Sequence, residues 1–141
     1  MLVRLMYASR AADSVNQESL VAILKKSKAN NPVTGVTGVL CYSGGLFLQV
    51  LEGGRGPVNA LYHRIAADPR HRDVLLLSYE EIEERSFAGW AMGQVNLARI
   101  NPALLLKYSE TAHLDPYAVS GKVSMALFNE LVATASVMGQ G

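Results

Sequence analysis

Two polar side chains stand inside apolar stretches, where hydrogen bonding could give them a chemical role. Gln49 lies in the otherwise apolar run 46–51, and strand alternation places its side chain on the same face as Phe47. A buried amide without partners costs about 1–3 kcal/mol, so a hydrogen-bond partner is expected. Tyr7 lies in the strand-like run 2–8, and a buried phenol also seeks a partner. Taken alone, each is most simply a core residue bonded to its neighbours.

A second set of polar residues could bind a heterocycle or an anion. Asn30 and Asn31 follow the first predicted helix, where asparagine is common because it tolerates unusual backbone angles. Two amides at a helix end also suit the edge of a heterocyclic ring. A basic cluster consists of Arg64, Arg70, His71 and Arg72. Arginine is suited to clamping a phosphate, whereas the nearby Asp68 and Asp73 favour a solvated surface.

Other chemical patterns are missing from the sequence. His63, His71 and His113 lack metal-ligand spacing, and no serine–histidine–acid set can be argued from the spacing. The glycines at 35 and 38 do not form a dinucleotide-binding fingerprint, which needs a different spacing and a following helix. The sequence therefore argues against a metal centre and against a conventional enzyme.

Composition bounds the class of protein. The chain has 141 residues, of which 50% are hydrophobic and 18% are charged, as expected of one folded domain. Its net charge of +1 gives no reason to expect nucleic acid or an anionic membrane as a partner. Cys41 is the only cysteine, so it cannot form an internal disulfide. No signal peptide or membrane-spanning run is found, so a cytoplasmic location is expected.

The elements that must position these side chains follow from the hydrophobic pattern. Strands are predicted at 2–8, 36–42, 46–52, 74–79 and 90–95, and helices at about 14–29, 57–67, 101–108 and 121–138. This order, β-α-β-β-α-β-β followed by two helices, predicts an α+β fold with a ferredoxin-like sheet. Two helices would cover one face of the sheet, and the two C-terminal helices would pack on the other face.

Local signals give further detail. Ser14 with Gln17 predicts a capping box at the start of the first helix, and Pro32 predicts its end. The segment 43–45 predicts a tight hairpin. The apolar run 74–79 predicts a central strand that is covered on both faces.

The last predicted helix is apolar nearly all round. One side carries Val123, Leu127 and Leu131, and another side carries Met125, Phe128, Val132 and Ala135. Such a helix is usually buried on all sides. Docking on the sheet explains one side, and a contact between two copies of the chain explains the other equally well.

Five stretches of the sequence together resemble the BLUF family, blue-light sensors that use FAD. They are Leu5–Ser9, Asn30-Asn31 followed by Val36–Leu40, Leu46–Gly53, Asp68–His71 and Phe87–Met92. Any one of them would be a weak signal, but five in register are specific. The resemblance implies a flavin-binding core at 1–95, with 96–141 as a helical extension of the same domain.

The resemblance also implies a cofactor site. The isoalloxazine ring of FAD would lie between the two helices on one sheet face, and FMN or riboflavin could occupy the same position. The residues implied to bind it are Ile23, Leu24, Ser27, Asn30, Asn31, Gln49, Arg64, Ile65, Asp68, Arg70 and His71.

A photochemical role is implied for four residues. Tyr7 would give an electron and a proton to the excited flavin, and Gln49 would bridge the two. After both return, Gln49 would keep rearranged hydrogen bonds, and the flavin spectrum would shift slightly to the red. Trp90 and Met92, predicted on one face of the last strand, would carry the change to the C-terminal helices.

The resemblance implies a photoreceptor and not an enzyme. No cyclase, phosphodiesterase or DNA-binding segment follows residue 95, so the signal is expected to pass to a separate partner protein, to a homodimer contact, or to both. Three alternatives stay open. They are a cofactor-free interaction module of the same shape, a flavin oxidoreductase, and a hydrolase of the acylphosphatase type. The hydrolase is disfavoured because the first loop offers Arg10 but no glycine.

Overall fold

A computed structural model of the chain describes residues 1–95, 101–134 and 137–138. The strands of this part are β1 (Leu2–Ala11), β2 (Thr37–Ser43), β3 (Leu46–Gly54), β4 (His71–Ile82), β5 (Gly93–Val95) and β6 (Val137–Met138). The helices are α1 (Gln17–Thr34), α2 (Arg55–Ala67), α3 (Pro102–Tyr108) and α4 (Gly121–Thr134).

The strands form one mixed sheet in the order β4-β1-β3-β2-β5-β6. All neighbours are antiparallel except β2 and β5, which run parallel. The long central pair is β1 with β3, in which Tyr7 lies directly opposite Gln49. The predicted α+β, ferredoxin-like fold is confirmed.

Each face of the sheet carries its own hydrophobic core, because successive side chains of a strand point to opposite faces. On the cleft face, the face that α1 and α2 cover, Val3 and Leu5 of β1 pack with Leu20 of α1 and Val58 of α2. On the α4 face, residues of β1, β2 and β3 pack against the two C-terminal helices, and this core includes Met6, Val39, Cys41, Leu48, Val50, Leu127, Phe128 and Leu131. The predicted placement of the C-terminal helices is therefore correct.

The hairpin between β2 and β3 forms as predicted. Ser43 pairs with Leu46, so Gly44 and Gly45 form a two-residue loop. Both glycines have positive φ, at 55° and 81°. Turns of this kind match the twist of the flanking strands and favour glycine at both central positions.

Both ends of α1 differ from the prediction. The N-cap is Asn16, whose side chain accepts a hydrogen bond from the Ser19 backbone, so Ser14 and Gln17 do not form a capping box. The helix also continues past Pro32 to Thr34. The helix is capped three residues after the proline, at Gly35, whose N–H bonds the Asn31 carbonyl. The φ of 75° at Gly35 brings the Val36 N–H to the same carbonyl, at 3.0 Å, and so closes the helix.

The prediction that 74–79 forms a central strand was wrong. β4 lies at the edge of the sheet, and Leu75 and Leu76 are 39% and 47% exposed. Its pairing with β1 is interrupted at two register shifts. Such irregularities are common at sheet edges, where they hinder pairing with another chain. A continuous apolar run therefore did not indicate burial on both faces.

The C-terminal elements are also partly different. β5 is limited to Gly93–Val95, so Trp90 and Met92 precede the strand instead of sharing one of its faces. α4 ends at Thr134, and β6 follows at Val137–Met138. Ala135 lies outside the described residues. Met125 and Val132 pack on the same core as Phe128, so the sheet and the helices account for both sides of α4 that the sequence identified.

Candidate functional site

A cleft opens between α1 and α2, above the middle of the sheet. Its lining residues are Tyr7, Ile23, Lys26, Ser27, Asn30, Asn31, Thr34, Leu40, Phe47, Gln49, Leu61, Arg64, Ile65, Asp68, Arg70, His71 and Met92. The helices supply its walls, and the central strands supply its floor. Both the walls and the floor combine apolar side chains with a few polar ones, which suits a flat ligand that carries hydrogen-bonding atoms on one edge.

Helical spacing explains which residues of α1 reach the cleft. Positions 23, 27, 30 and 34 follow one another at intervals of three or four, which places them on one face of a helix. Asn31 lies on the same side and is 4% exposed. Its amide nitrogen donates to the Ala91 carbonyl at 2.8 Å, which links α1 to the segment before β5.

A hydrogen-bonded chain of three buried side chains crosses the floor of the cleft. The Tyr7 hydroxyl donates to Gln49 Oε1, and Gln49 Nε2 donates to Met92 Sδ at 3.1 Å. The three side chains are only 1%, 5% and 1% exposed. The amide is thus held at both ends, by a donor at its oxygen and by an acceptor at its nitrogen.

The surroundings of Tyr7 keep its phenol protonated. Burial raises the pKa of Tyr7 far above its ordinary value, and Tyr62 and Asp68 add to the shift. The Tyr62 ring lies 5.7 Å from the Tyr7 ring, and the His71 ring lies 6.2 Å away. Tyr7 therefore enters any reaction in the cleft as a neutral phenol with its proton directed at Gln49.

The rim of the cleft at the end of α2 carries a positively charged side chain beside a negatively charged one. Arg70 pairs with Asp68 at 2.5 Å, and this hydrogen bond lowers the pKa of Asp68 to about 2. His71 Nδ1 lies 2.7 Å from the hydroxyl of the buried Ser9. Burial lowers the pKa of His71, which favours the neutral imidazole. Of the predicted basic cluster, Arg72 faces Asp13 instead of the cleft.

The structure brings together ten of the eleven residues predicted to bind a cofactor. The exception is Leu24, which packs against the core beneath α1 and is not part of the lining. Lys26 and Thr34 were missed, although each lies three residues from a predicted member of the same helix face, Ile23 and Asn31. That spacing was a usable signal.

Trp90 and Met92 lie on different sides of the sheet. Met92 belongs to the cleft face, whereas Trp90 packs on the α4 face, with its ring 6.1 Å from that of Phe87. The residue next to Gln49 is therefore Met92.

The described part of the chain offers neither a cluster of metal-ligating side chains nor a helix that could span a membrane. Within residues 1–95, 101–134 and 137–138, no group of three or more His, Cys, Asp or Glu side chains is arranged to hold a metal ion. None of the helices in these ranges is both long and apolar enough to cross a bilayer.

Comparison with known proteins gives one family. The model described as BLUF, sensors of blue-light using FAD, matches residues 2–93. Photoactivated adenylate cyclase subunit alpha of Euglena gracilis is 40% identical over 86 residues, which are 61% of this chain and 8% of that protein. Subunit beta of Euglena longa is 37% identical over 92 residues, 64% of this chain and 11% of that protein. The chain thus corresponds to a small part of these relatives.

Solved structures agree in fold. The photo-activated state of BlsA is 30% identical, with a TM-score of 0.83 over 96% of this chain and 99% of that chain. The dark state of BlrB, a BLUF protein, is 32% identical, with a TM-score of 0.79 over 94% and 95% of the two chains. A bacterial light-regulated adenylyl cyclase is 30% identical, with a TM-score of 0.69 over 94% of this chain and 35% of that chain.

Proposed function

Because this chain belongs to the BLUF family, the sensors of blue light that use FAD, we propose that it is a blue-light receptor with its flavin in the cleft between α1 and α2. The observation that carries the proposal is the buried chain from Tyr7 through Gln49 to Met92. It offers an oxidisable, protonated phenol beside an amide that can exchange its hydrogen bonds.

The residues of the cleft fit an isoalloxazine ring. Ile23 of α1 and Ile65 of α2 offer apolar contacts from facing helices, and Asn31 and Gln49 offer buried amides to the polar edge. The remaining proposed contacts, at the rim, come from Ser27, Asn30, Arg64, Asp68, Arg70 and His71. Arg64 suits the phosphate of FAD or FMN, since a guanidinium forks around phosphate oxygens. FAD is the proposed cofactor, and FMN and riboflavin share its ring.

A bound flavin supplies absorption of blue light and a transient acceptor for an electron and a proton. Tyr7 is the proposed donor of both, because its phenol is protonated and in contact with Gln49. Gln49 then exchanges its hydrogen bonds. If its amide turned over in the cleft, the oxygen would face Met92 Sδ, which has no proton to donate. The two arrangements therefore differ in how strongly Met92 is held.

The proposed output passes through the segment before β5 to the C-terminal helices and on to a separate partner protein, with self-association as a second route. The names of the Euglena relatives couple a light sensor to adenylate cyclase. The match covers 8% to 11% of those proteins, so light sensing, and not cyclase activity, is what is proposed for this chain.

The test is an absorption spectrum of the purified protein, in the dark and after blue light. A flavin spectrum that shifts to the red and recovers in the dark is expected. Gln49→Leu should keep the flavin and lose the shift, because leucine has no group to exchange. Met6→Leu, a buried substitution on the α4 face, is the matched control and should shift normally. A normal shift in Gln49→Leu would refute the role of Gln49.

Other results of this test separate the alternatives. Colourless protein that takes up no added flavin would support a cofactor-free interaction module. A flavin that bleaches and turns over with a reductant would support an oxidoreductase.

A further inference from the structure

The bridging segment, residues 86–92, touches both faces of the sheet. On the α4 face, Phe87 is 3% exposed, and its ring lies 6.1 Å from that of Phe128 in α4. On the cleft face, Met92 accepts the hydrogen bond from Gln49. A short stretch of backbone therefore joins the photochemical residues to the last helix.

Glu52 holds the first end of the bridging segment. Its side chain is fully buried in β3. Its carboxylate accepts hydrogen bonds from the backbone N–H groups of Ser86, at 3.0 Å, and Phe87, at 2.7 Å. A buried carboxylate needs charge pairing and several hydrogen bonds to offset its lost hydration. Here two of those bonds come from the bridging segment, whose position the carboxylate thereby fixes.

Arg4 supplies the charge that Glu52 needs and adds a second hold on the same end. Its Nε lies 2.8 Å from Glu52 Oε2, and its Nη2 donates to the Ser86 hydroxyl at 2.7 Å. Its third partner is Glu80, at 3.0 Å, whose side chain is 48% exposed. Glu80 binds the same arginine, but among the described residues no hydrogen bond or ion pair joins it to the bridging segment, so it offers a matched comparison.

Cleft residues hold the other end. The Asn31 amide nitrogen donates to the Ala91 carbonyl at 2.8 Å, and the Gln49 amide nitrogen donates to Met92 Sδ. Both donors line the cleft. A change in the cleft thus acts on one end of the segment while the other end stays fixed to β3.

We infer that Glu52 is a positioning residue for signal output. Glu52 holds the backbone of Ser86 and Phe87 in place. A displacement at Met92 is therefore not absorbed by the segment and instead turns the Phe87 side chain against Phe128. The light dependence of this effect rests on the proposed function, whereas the anchoring is a property of the chain in the dark.

The test is hydrogen exchange of the flavin-loaded chain, in the dark and under blue light, with the flavin red shift recorded on the same samples. In the parent chain, light should change exchange in the bridging segment and in α4. Ser86 and Phe87 bond different oxygens of Glu52. Glu52→Gln replaces one of these oxygens by an NH₂ group that cannot accept, so one of the two backbone N–H groups should be released and the anchor weakened. The variant should keep the red shift and lose the light-dependent change in α4 by at least about fivefold, the lower range of coupling between sites.

Two further variants make the outcome decisive. Glu80→Gln should behave as the parent chain. Arg4→Lys keeps a positive charge beside Glu52 but lacks the planar fork whose separate nitrogens reach Glu52, Glu80 and Ser86. It should therefore reduce the change in α4 even if Glu52→Gln does not fold. If α4 responded normally to light in Glu52→Gln, the inference would be overturned. If Glu52→Gln does not fold, a normal response of α4 in Arg4→Lys would overturn it in the same way. So would an equal loss in Glu80→Gln.

Failure of the proposed function has a different signature. If the parent chain shows no flavin red shift, the photoreceptor proposal fails, and anchoring is judged in the dark alone. Glu52→Gln should then raise exchange of at least one of the Ser86 and Phe87 amides by at least about fivefold, and Glu80→Gln should not. Unchanged exchange of these amides in Glu52→Gln would overturn the anchoring role.

Discussion

The two faces of the sheet are built from the same strands but bury different chemistry. On the cleft face, Tyr7 of β1 lies opposite Gln49 of β3, and Ser9 follows two residues further along β1, opposite Phe47. Tyr7, Ser9 and Gln49 are all buried and carry hydrogen-bonding groups. Each has a hydrogen-bond partner on the same face. On the α4 face, the strands contribute mainly apolar residues such as Met6 and Val50, and the one buried carboxylate among the described residues of that face, Glu52, is paired with Arg4.

This difference shows how one sheet can combine reactivity with stability. Polar networks inside a protein are specific but contribute little net stability, whereas apolar packing stabilises without dictating a reaction. The cleft face therefore sets what the protein can do, and the α4 face supplies much of its stability. Four substitutions test this division, from the largest expected effect to the smallest.

Tyr7→Phe should abolish the light-induced red shift completely while flavin still binds. Phenylalanine fills the same space but has no hydroxyl to oxidise or to bond Gln49 Oε1. Light-minus-dark absorption spectra measure the loss. Tyr62→Phe, which changes the neighbouring ring at 5.7 Å, should keep the shift. If both variants shifted normally, the cleft face would not be the reactive one.

Phe128→Ala should destabilise the protein by about 3–5 kcal/mol, the usual cost of emptying a buried aromatic site, and leave the size of the red shift unchanged. Phe128 is fully buried on the α4 face. Urea unfolding measures the change in free energy. Leu106→Ala, at a side chain that is 54% exposed, should change it by less than about 0.5 kcal/mol. If Phe128→Ala lost the red shift but kept its stability, the α4 face and not the cleft face would be the reactive one.

Met92→Leu should slow dark recovery by about two- to tenfold, because a lost hydrogen bond is worth about 0.5–1.5 kcal/mol. Leucine keeps the volume but removes the sulfur that holds Gln49 Nε2 in its present orientation. The recovery rate of the flavin spectrum is the measurement. Met6→Leu makes the same exchange on the α4 face and should recover at the parent rate. Equal rates in all three proteins would show that the sulfur contact does not bias Gln49.

Asp68→Asn should have the smallest effect, limited to acid. The hydrogen bond from Arg70 lowers the pKa of Asp68 from 3.8 to about 2. A depressed carboxyl pKa stabilises the folded state above about pH 4, and this contribution is lost as the pH falls toward 2. The drop in urea midpoint between about pH 5 and about pH 2.5 should therefore be smaller in the variant. The urea midpoint of Asp13→Asn, at a fully exposed side chain, should fall by as much as that of the parent. A fall of the same size in Asp68→Asn would contradict the prediction.

Local patterns in the sequence were enough to predict the central part of the molecule. Alternation in β1 and β3 identified Tyr7 and Gln49 as buried polar residues, and the two strands indeed pair at those positions. Local patterns also marked Asn30, Asn31 and Arg64 as candidates, whereas Ile23, Ser27 and Ile65 were assigned to the site only by the family resemblance. Ten of its eleven proposed contacts line one cleft, but their roles toward a flavin stay a prediction until the spectrum is measured.

The errors arose where position in the fold overrides local pattern. Residues 74–77 are apolar whether a strand is central or at an edge, and only pairing partners distinguish the two. Trp90 and Met92 were assigned to one face because a strand was predicted there. The chain instead turns at this point, where the backbone N–H of Trp90 donates to the Phe87 carbonyl. Glu52 carried no local signal, because Arg4 and Ser86 lie far from it in sequence.

The position of Trp90 has a spectroscopic consequence. It is the only tryptophan of the chain, and it lies in the bridging segment, with its ring 6.1 Å from Phe87. Indole fluorescence excited at the red edge of aromatic absorption excludes the tyrosines, so the emission comes from a single known place. The chain thus contains an intrinsic fluorophore where its two cores meet. Its emission lifetime would follow that junction during unfolding or illumination, without any attached label.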